Sequence, residues 1–171
     1  MRHSHGALLC FGMLVLAGCD GQLDLAALGV VLNEAQADNF STATDNVAEF
    51  DDWVEIYNSG LSEIDLGGFY LSDDPINFTK YTFPPNTILA PESFLVVWCD
   101  GQPDQGWSHA DFQLSALGES VYLFGGLDTD AEQIDQLSWD MMNVDTSVGR
   151  AVDGSSEIIP FDVPTPGAPN S

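Results

Sequence analysis

From about Gly29 onward the chain sustains no helical period; short runs of β-branched and aromatic residues are instead cut by Gly, Pro, Asn and Asp. That punctuation is the pattern of an all-β sandwich or barrel. The clearest predicted strands are residues 28–32, 53–57, 69–71, 94–98 and 121–124, with weaker ones at 81–83, 112–114, 133–137 and 148–150. In Trp53-Val54-Glu55-Ile56-Tyr57 the period of two puts Val54 and Ile56 on one, apolar face and Trp53, Glu55 and Tyr57 on a mixed one. Phe94-Leu95-Val96-Val97-Trp98 is apolar on both faces, which predicts a central strand covered on both sides. Cys99 at its end then reads as a small buried hydrophobe. The last twelve residues carry Pro160, Pro164, Pro166 and Pro169 and are expected to lie extended, packed along the surface.

Composition narrows the function. The 171 residues hold 27 acids against 3 Lys+Arg, a formal charge of -24 at pH 7. With 44% hydrophobic residues, including 10 Phe and 4 Trp, the chain has enough to bury and is not a disordered acidic tail. Its charge repels phosphate backbones, which excludes direct nucleic-acid binding.

The N-terminus reads as an address. Arg2 precedes an apolar run from Gly6 to Leu16, shorter than the roughly 20 residues that cross a bilayer as a helix. The run ends in Leu16-Ala17-Gly18-Cys19, which resembles the bacterial lipobox. The resemblance implies a lipoprotein signal peptide over residues 1–18, lipidation of Cys19, and a tether over residues 19–28. Two or three acyl chains anchor stably where one is marginal. The expected location is the bacterial cell envelope, with Asp20 a retention signal in some bacterial groups only, so the choice of membrane stays open. The mature chain keeps 27 acids against Lys80 and Arg150, and Cys99 is left with no cysteine to pair with.

Beyond the tether, the order of motifs resembles the lamin tail domain family. The matching pieces are Val31-Leu32-Asn33-Glu34, Asp52-Trp53-Val54-Glu55-Ile56-Tyr57-Asn58 and Ile64-Asp65-Leu66-Gly67-Gly68-Phe69-Tyr70-Leu71-Ser72-Asp73-Asp74. Then follow Tyr81-Thr82-Phe83-Pro84, Phe94-Leu95-Val96-Val97-Trp98, Phe112-Gln113-Leu114-Ser115-Ala116-Leu117-Gly118-Glu119, Asp145-Thr146-Ser147-Val148-Gly149-Arg150 and Pro164-Thr165-Pro166-Gly167-Ala168-Pro169-Asn170. The resemblance implies an immunoglobulin-like β-sandwich over residues 29–171. It also implies a non-catalytic role, since enzymes in this family setting carry a separate catalytic domain.

No nucleophile motif, zinc signature or phosphate loop is present, and the mature chain has His109 as its one neutral-pH base. The acids offer two readings. Glu34, Asp52, Glu55 and Asp73, with Asn33, stand in the matched motifs, where the loops of one sandwich edge are expected to gather them. The long loop after the first strand adds Asp38, Asp45, Glu49 and Asp51. Hard oxygen ligands of this kind suit Ca²⁺; the bland reading is solvated acids that bond loop backbones. Asp128-Thr129-Asp130-Ala131-Glu132 imitates a Ca²⁺ loop but has Gln133 where glycine is required, and reads as a hairpin tip. Trp107 and Trp139, with Phe78, are candidates for an aromatic platform, against the alternative that tryptophan in a small sandwich is core.

The expected function is therefore a lipid-anchored, non-catalytic envelope module, tied to the membrane through its N-terminal lipid and presenting the sandwich to a protein or extracellular polymer. A Ca²⁺-dependent glycan-binding domain is the alternative, and a carboxylate-based hydrolase a poorer third.

Overall fold

A computed structural model describes residues 28–126 and 131–171. The expected signal peptide, the expected lipobox Leu16 to Cys19, the expected tether up to Ala27, and Asp128 and Asp130 of the expected hairpin tip lie outside the described residues. Among the described residues there are eleven strands: β1 Val30–Gln36, β2 Trp53–Asn58, β3 Ile64–Asp65, β4 Tyr70–Ser72, β5 Tyr81–Thr82, β6 Ile88–Leu89, β7 Phe94–Trp98, β8 Glu119–Gly125, β9 Glu132–Trp139, β10 Ser147–Arg150 and β11 Ile158–Phe161. They form a five-stranded sheet in the order β11-β10-β1-β2-β7, a four-stranded sheet in the order β5-β4-β8-β9, and the small pair β3-β6. The fold is all-β, an immunoglobulin-like sandwich in which Leu32, Val54, Ile56 and Val97 of one sheet share a core with Leu71, Val121, Leu123 and Leu137 of the other.

One irregularity explains the first strand. A register shift between Leu32 and Glu34 places a bulge at Asn33, so Val30 and Leu32, then Ala35 and Ala37, all join the core. The bulge is filled from outside the ladder. The Leu32 N–H donates to Asp135 Oδ2 of β9 at 2.8 Å, and Arg150 Nε of β10 donates to the Leu32 carbonyl at 2.8 Å. Arg150 Nη2 and Asp135 Oδ2 meet at 2.6 Å, so one ion pair ties the two sheets together at the bulge.

Several expectations are corrected. Residues 94–98 form β7, which lies at the edge of its sheet and not in its centre. Its outer side chains are half-buried, with Phe94 stacked on Tyr57 at 4.8 Å, and its free edge is partly closed where Trp98 N donates to Ser108 O and Ala110 N to Trp98 O, both at 2.8 Å. Residues 112–114 make only an isolated bridge, Asp100 to Gln113. β1 begins later than expected and runs on through Asn33-Glu34-Ala35-Gln36. The C-terminal region is extended as expected, but residues 158–161 also pair with β10 as an edge strand that tolerates Pro160. Cys99 is 1% exposed, a buried hydrophobe as read from the sequence.

Candidate functional site

The mixed face of β2 is buried at Trp53 and Glu55 and half-buried at Tyr57. Trp53 and Glu55, with their register partners Gln36 and Glu34 on β1, are all 0% exposed. Two segments cover them. Over one half lies the β1–β2 loop, where Thr42 Oγ1 donates to Gln36 Oε1 at 2.6 Å and Gln36 Oε1 also accepts from Trp53 Nε1 at 2.8 Å. Over the other half lies the C-terminal segment. Thr165 donates through its N–H and Oγ1 to Glu34 Oε2 at 3.1 and 2.9 Å, and the Gly167 N–H donates to Glu55 Oε2 at 2.6 Å. Ser147 Oγ also donates to Glu34, and Asn33 Nδ2 donates to Glu55 Oε1 at 3.0 Å. Burial pushes Glu34 up, against the hydrogen bonds it accepts, and pushes Glu55 up to about 8. These two acids latch the tail onto the sheet.

The four expected metal ligands are therefore not gathered. Asp52 stands three residues before Glu55 and accepts from the N–H groups of Asp38 and Asn39 at 2.7 and 3.2 Å. Asp73 follows β4 in the other sheet and pairs with Lys80 at 2.5 Å. The aromatic candidates are also dispersed. Trp107 is 53% exposed and borders a groove with Pro84, Ile88 and Leu95. Trp139 is buried, with Nε1 donating to Ser115 O at 2.9 Å. Phe78 packs against Tyr70 and Phe124.

A cluster that the sequence reading did not assemble sits between the β1–β2 loop and the segment after β7. Buried His109 places Nδ1 at 2.5 Å from Asp100 Oδ2 and Nε2 at 2.7 Å from Asn46 Oδ1. Asn46 Nδ2 donates to Gln105 O at 3.2 Å, which fixes its oxygen toward the histidine. Both ring nitrogens thus face side-chain oxygens. Asp45 Oδ2 lies 3.9 Å from Nε2, while Asp45 Oδ1 accepts from the N–H groups of Val47 and Glu49 at 2.9 and 2.8 Å. Asp45, Glu49 and Asp51 each offer an oxygen within 4.8 Å of the others. Burial, and then the carboxylates of Asp100, Asp45 and Glu49, raise Asp51 above the ordinary carboxylate range. The long acidic loop was the available signal; that His109 and Asp100 close it from the segment after β7 was not readable, since contacts 63 residues apart leave no periodic trace.

The family model described as Lamin Tail Domain matches residues 25–140, more than half of the chain. No curated protein matches it.

Proposed function

The chain belongs to the lamin tail domain family, and from that premise we propose that it is a lipid-anchored, non-catalytic binding module of a bacterial cell envelope, held through Cys19 and presenting its sandwich to a protein or extracellular polymer. The observation that carries the reading is the use made of the buried carboxylates. Glu34 and Glu55, which with Asp52 are the acids a carboxylate hydrolase would use, are 0% exposed beneath the C-terminal segment and accept its hydrogen bonds. Among the polar residues that the loops expose stand large apolar ones: Phe40, Val47 and Phe50 on the β1–β2 loop, and Trp107 on the segment bonded to that loop through Asn46 and Gln105. Exposed aromatics of this kind are the anchors of recognition surfaces.

A photo-crosslinking residue placed at Phe40 or Phe50 in the intact bacterium is expected to trap one envelope component that the same probe at Val152 does not. Labelled fatty acid is expected to enter the full chain and not Cys19→Ala. Absence of acyl label removes the anchor from the reading, and equal adducts from all three positions remove the binding face. A second reading, Ca²⁺-dependent glycan binding, is favoured by the position of exposed Trp107 two residues beyond Gln105, whose Nε2 donates to acidic Glu49 at 2.9 Å.

A further inference from the structure

Five buried side-chain polar atoms among the described residues lack a hydrogen-bond partner, and three of them are oxygens of one region: Asp45 Oδ2, Asp51 Oδ2 and Gln105 Oε1. The Asp45 side chain is 0% exposed. A buried carboxylate oxygen with no donor costs free energy, and native folds rarely leave one so. Among the described residues Lys80 is paired with Asp73 and Arg150 with Asp135, and the basic ring that comes near, His109, holds its Nε2 3.9 Å from Asp45 Oδ2, beyond hydrogen-bond reach. Both nitrogens of that ring are already bonded, to Asp100 and Asn46.

We propose that the β1–β2 loop is a Ca²⁺ site, with the carboxylates of Asp45, Glu49 and Asp51 as its protein ligands and the donor-less oxygens turned to the ion. The separations suit this metal: ligands about 2.4 Å from one Ca²⁺ stand at most about 4.8 Å apart, and these three acids offer oxygens within 4.8 Å of one another. The donors are all oxygen, on an irregular loop, which favours Ca²⁺ over Mg²⁺ with its shorter octahedral bonds and over the softer metals that take nitrogen or sulfur. The ion would hold the loop that carries Val47 and Phe50. The site does not depend on the identity of any partner, since metal uptake is read with none in the sample.

The test is a calorimetric Ca²⁺ titration of the chelator-stripped full chain, with Mg²⁺ at equal ionic strength and Tb³⁺ luminescence as a second readout. One Ca²⁺ per chain is expected, bound at least about tenfold more tightly than Mg²⁺. Asp51→Asn and Glu49→Gln are expected to weaken it about tenfold or more, whereas Asp73→Asn leaves it unchanged. Glu49 is exposed, so its amide variant folds, and it keeps a side chain able to bond Gln105. No saturable heat, equal responses to the two ions, or full affinity in Glu49→Gln and Asp51→Asn together would overturn the site.

Discussion

Glu55 shows what a buried carboxylate does when no cation reaches it. Its side chain is 0% exposed, accepts from Asn33 and Gly167, and faces Glu34 across the ladder, so burial and like charge together lift it from 4.5 to about 8. The folded chain therefore keeps a proton that the unfolded chain gives up, and stability must fall as pH rises across that interval. The stabilisation is complete below about pH 4.5 and gone above about pH 8. Urea midpoints between pH 5.5 and 8.5 should decline, and Glu55→Gln should flatten most of the slope, leaving a residue from Glu34. At about pH 5.5, where the folded chain holds the Glu55 proton, the same variant should lose about 1–2 kcal/mol because its amide cannot accept from both donors, and the deficit should shrink as pH rises; an unchanged slope would place the proton elsewhere. Gly149 makes a second claim at this scale. A Cβ there would stand 2.6 Å from the Asn33 carbonyl and 3.0 Å from Glu34 Cγ, so Gly149→Ala should cost about 1–3 kcal/mol in denaturant unfolding.

At the scale of elements, the C-terminal segment behaves as a latch although most of its residues are half or fully exposed. Thr165 and Gly167 serve Glu34 and Glu55, while the N–H of Asn170 donates to Asp153 at 3.0 Å and its Nδ2 to Arg150 O at 2.6 Å. Ending the chain before Pro164 should cost about 3 kcal/mol, several net hydrogen bonds of about 1 kcal/mol each less the entropy the tail regains. Thr165→Val should cost about 1 kcal/mol, so a truncation no worse than that substitution would deny the latch. The sequence made β2, β7 and β9 legible because apolar residues there alternate or run together. It hid the second half of β1, where Asn33, Glu34 and Gln36 look solvent-facing and are buried by segments far along the chain, and where the bulge breaks the period of two. It also misplaced β7, since an apolar outer face is equally consistent with an edge half-covered by Tyr57. The candidate ligands were legible as residue types and not as a set, because which acids meet is decided by sheet order. Glu34 and Glu55 meet across a ladder, Asp45 and Asp51 across a loop, and Asp73 belongs to the other sheet.

At the scale of the molecule, the acidity has a structural origin. Short strands joined by many turns leave N–H groups outside the ladders, and carboxylates accept them: Asp65 from Gly67, Asp74 from Ile76 and Asn77, Asp100 from Gln102, Glu119 from Ser115, and Asp145 from Phe40 and Ser41. Each bond fixes a turn, and each adds a charge that almost nothing neutralises, for the chain has 27 acids and 3 Lys+Arg. The folded state thus confines charge that the unfolded chain spreads out, and self-repulsion opposes folding. Screening relieves it: the Debye length shrinks from about 30 Å at 0.01 M to about 10 Å at 0.1 M salt, shorter than the span of a domain. The ion pairs Lys80 with Asp73 and Arg150 with Asp135, which salt would weaken, are largely shielded by their burial. Raising NaCl from about 0.01 to about 0.5 M should therefore increase the thermal midpoint steadily, most of the gain coming below about 0.2 M where screening changes fastest. A midpoint that falls with NaCl would mean that local pairs outweigh the global repulsion. Because any salt produces this rise, a gain from Ca²⁺ beyond NaCl and Mg²⁺ at equal ionic strength separates coordination at Asp45, Glu49 and Asp51 from the screening of a chain this acidic.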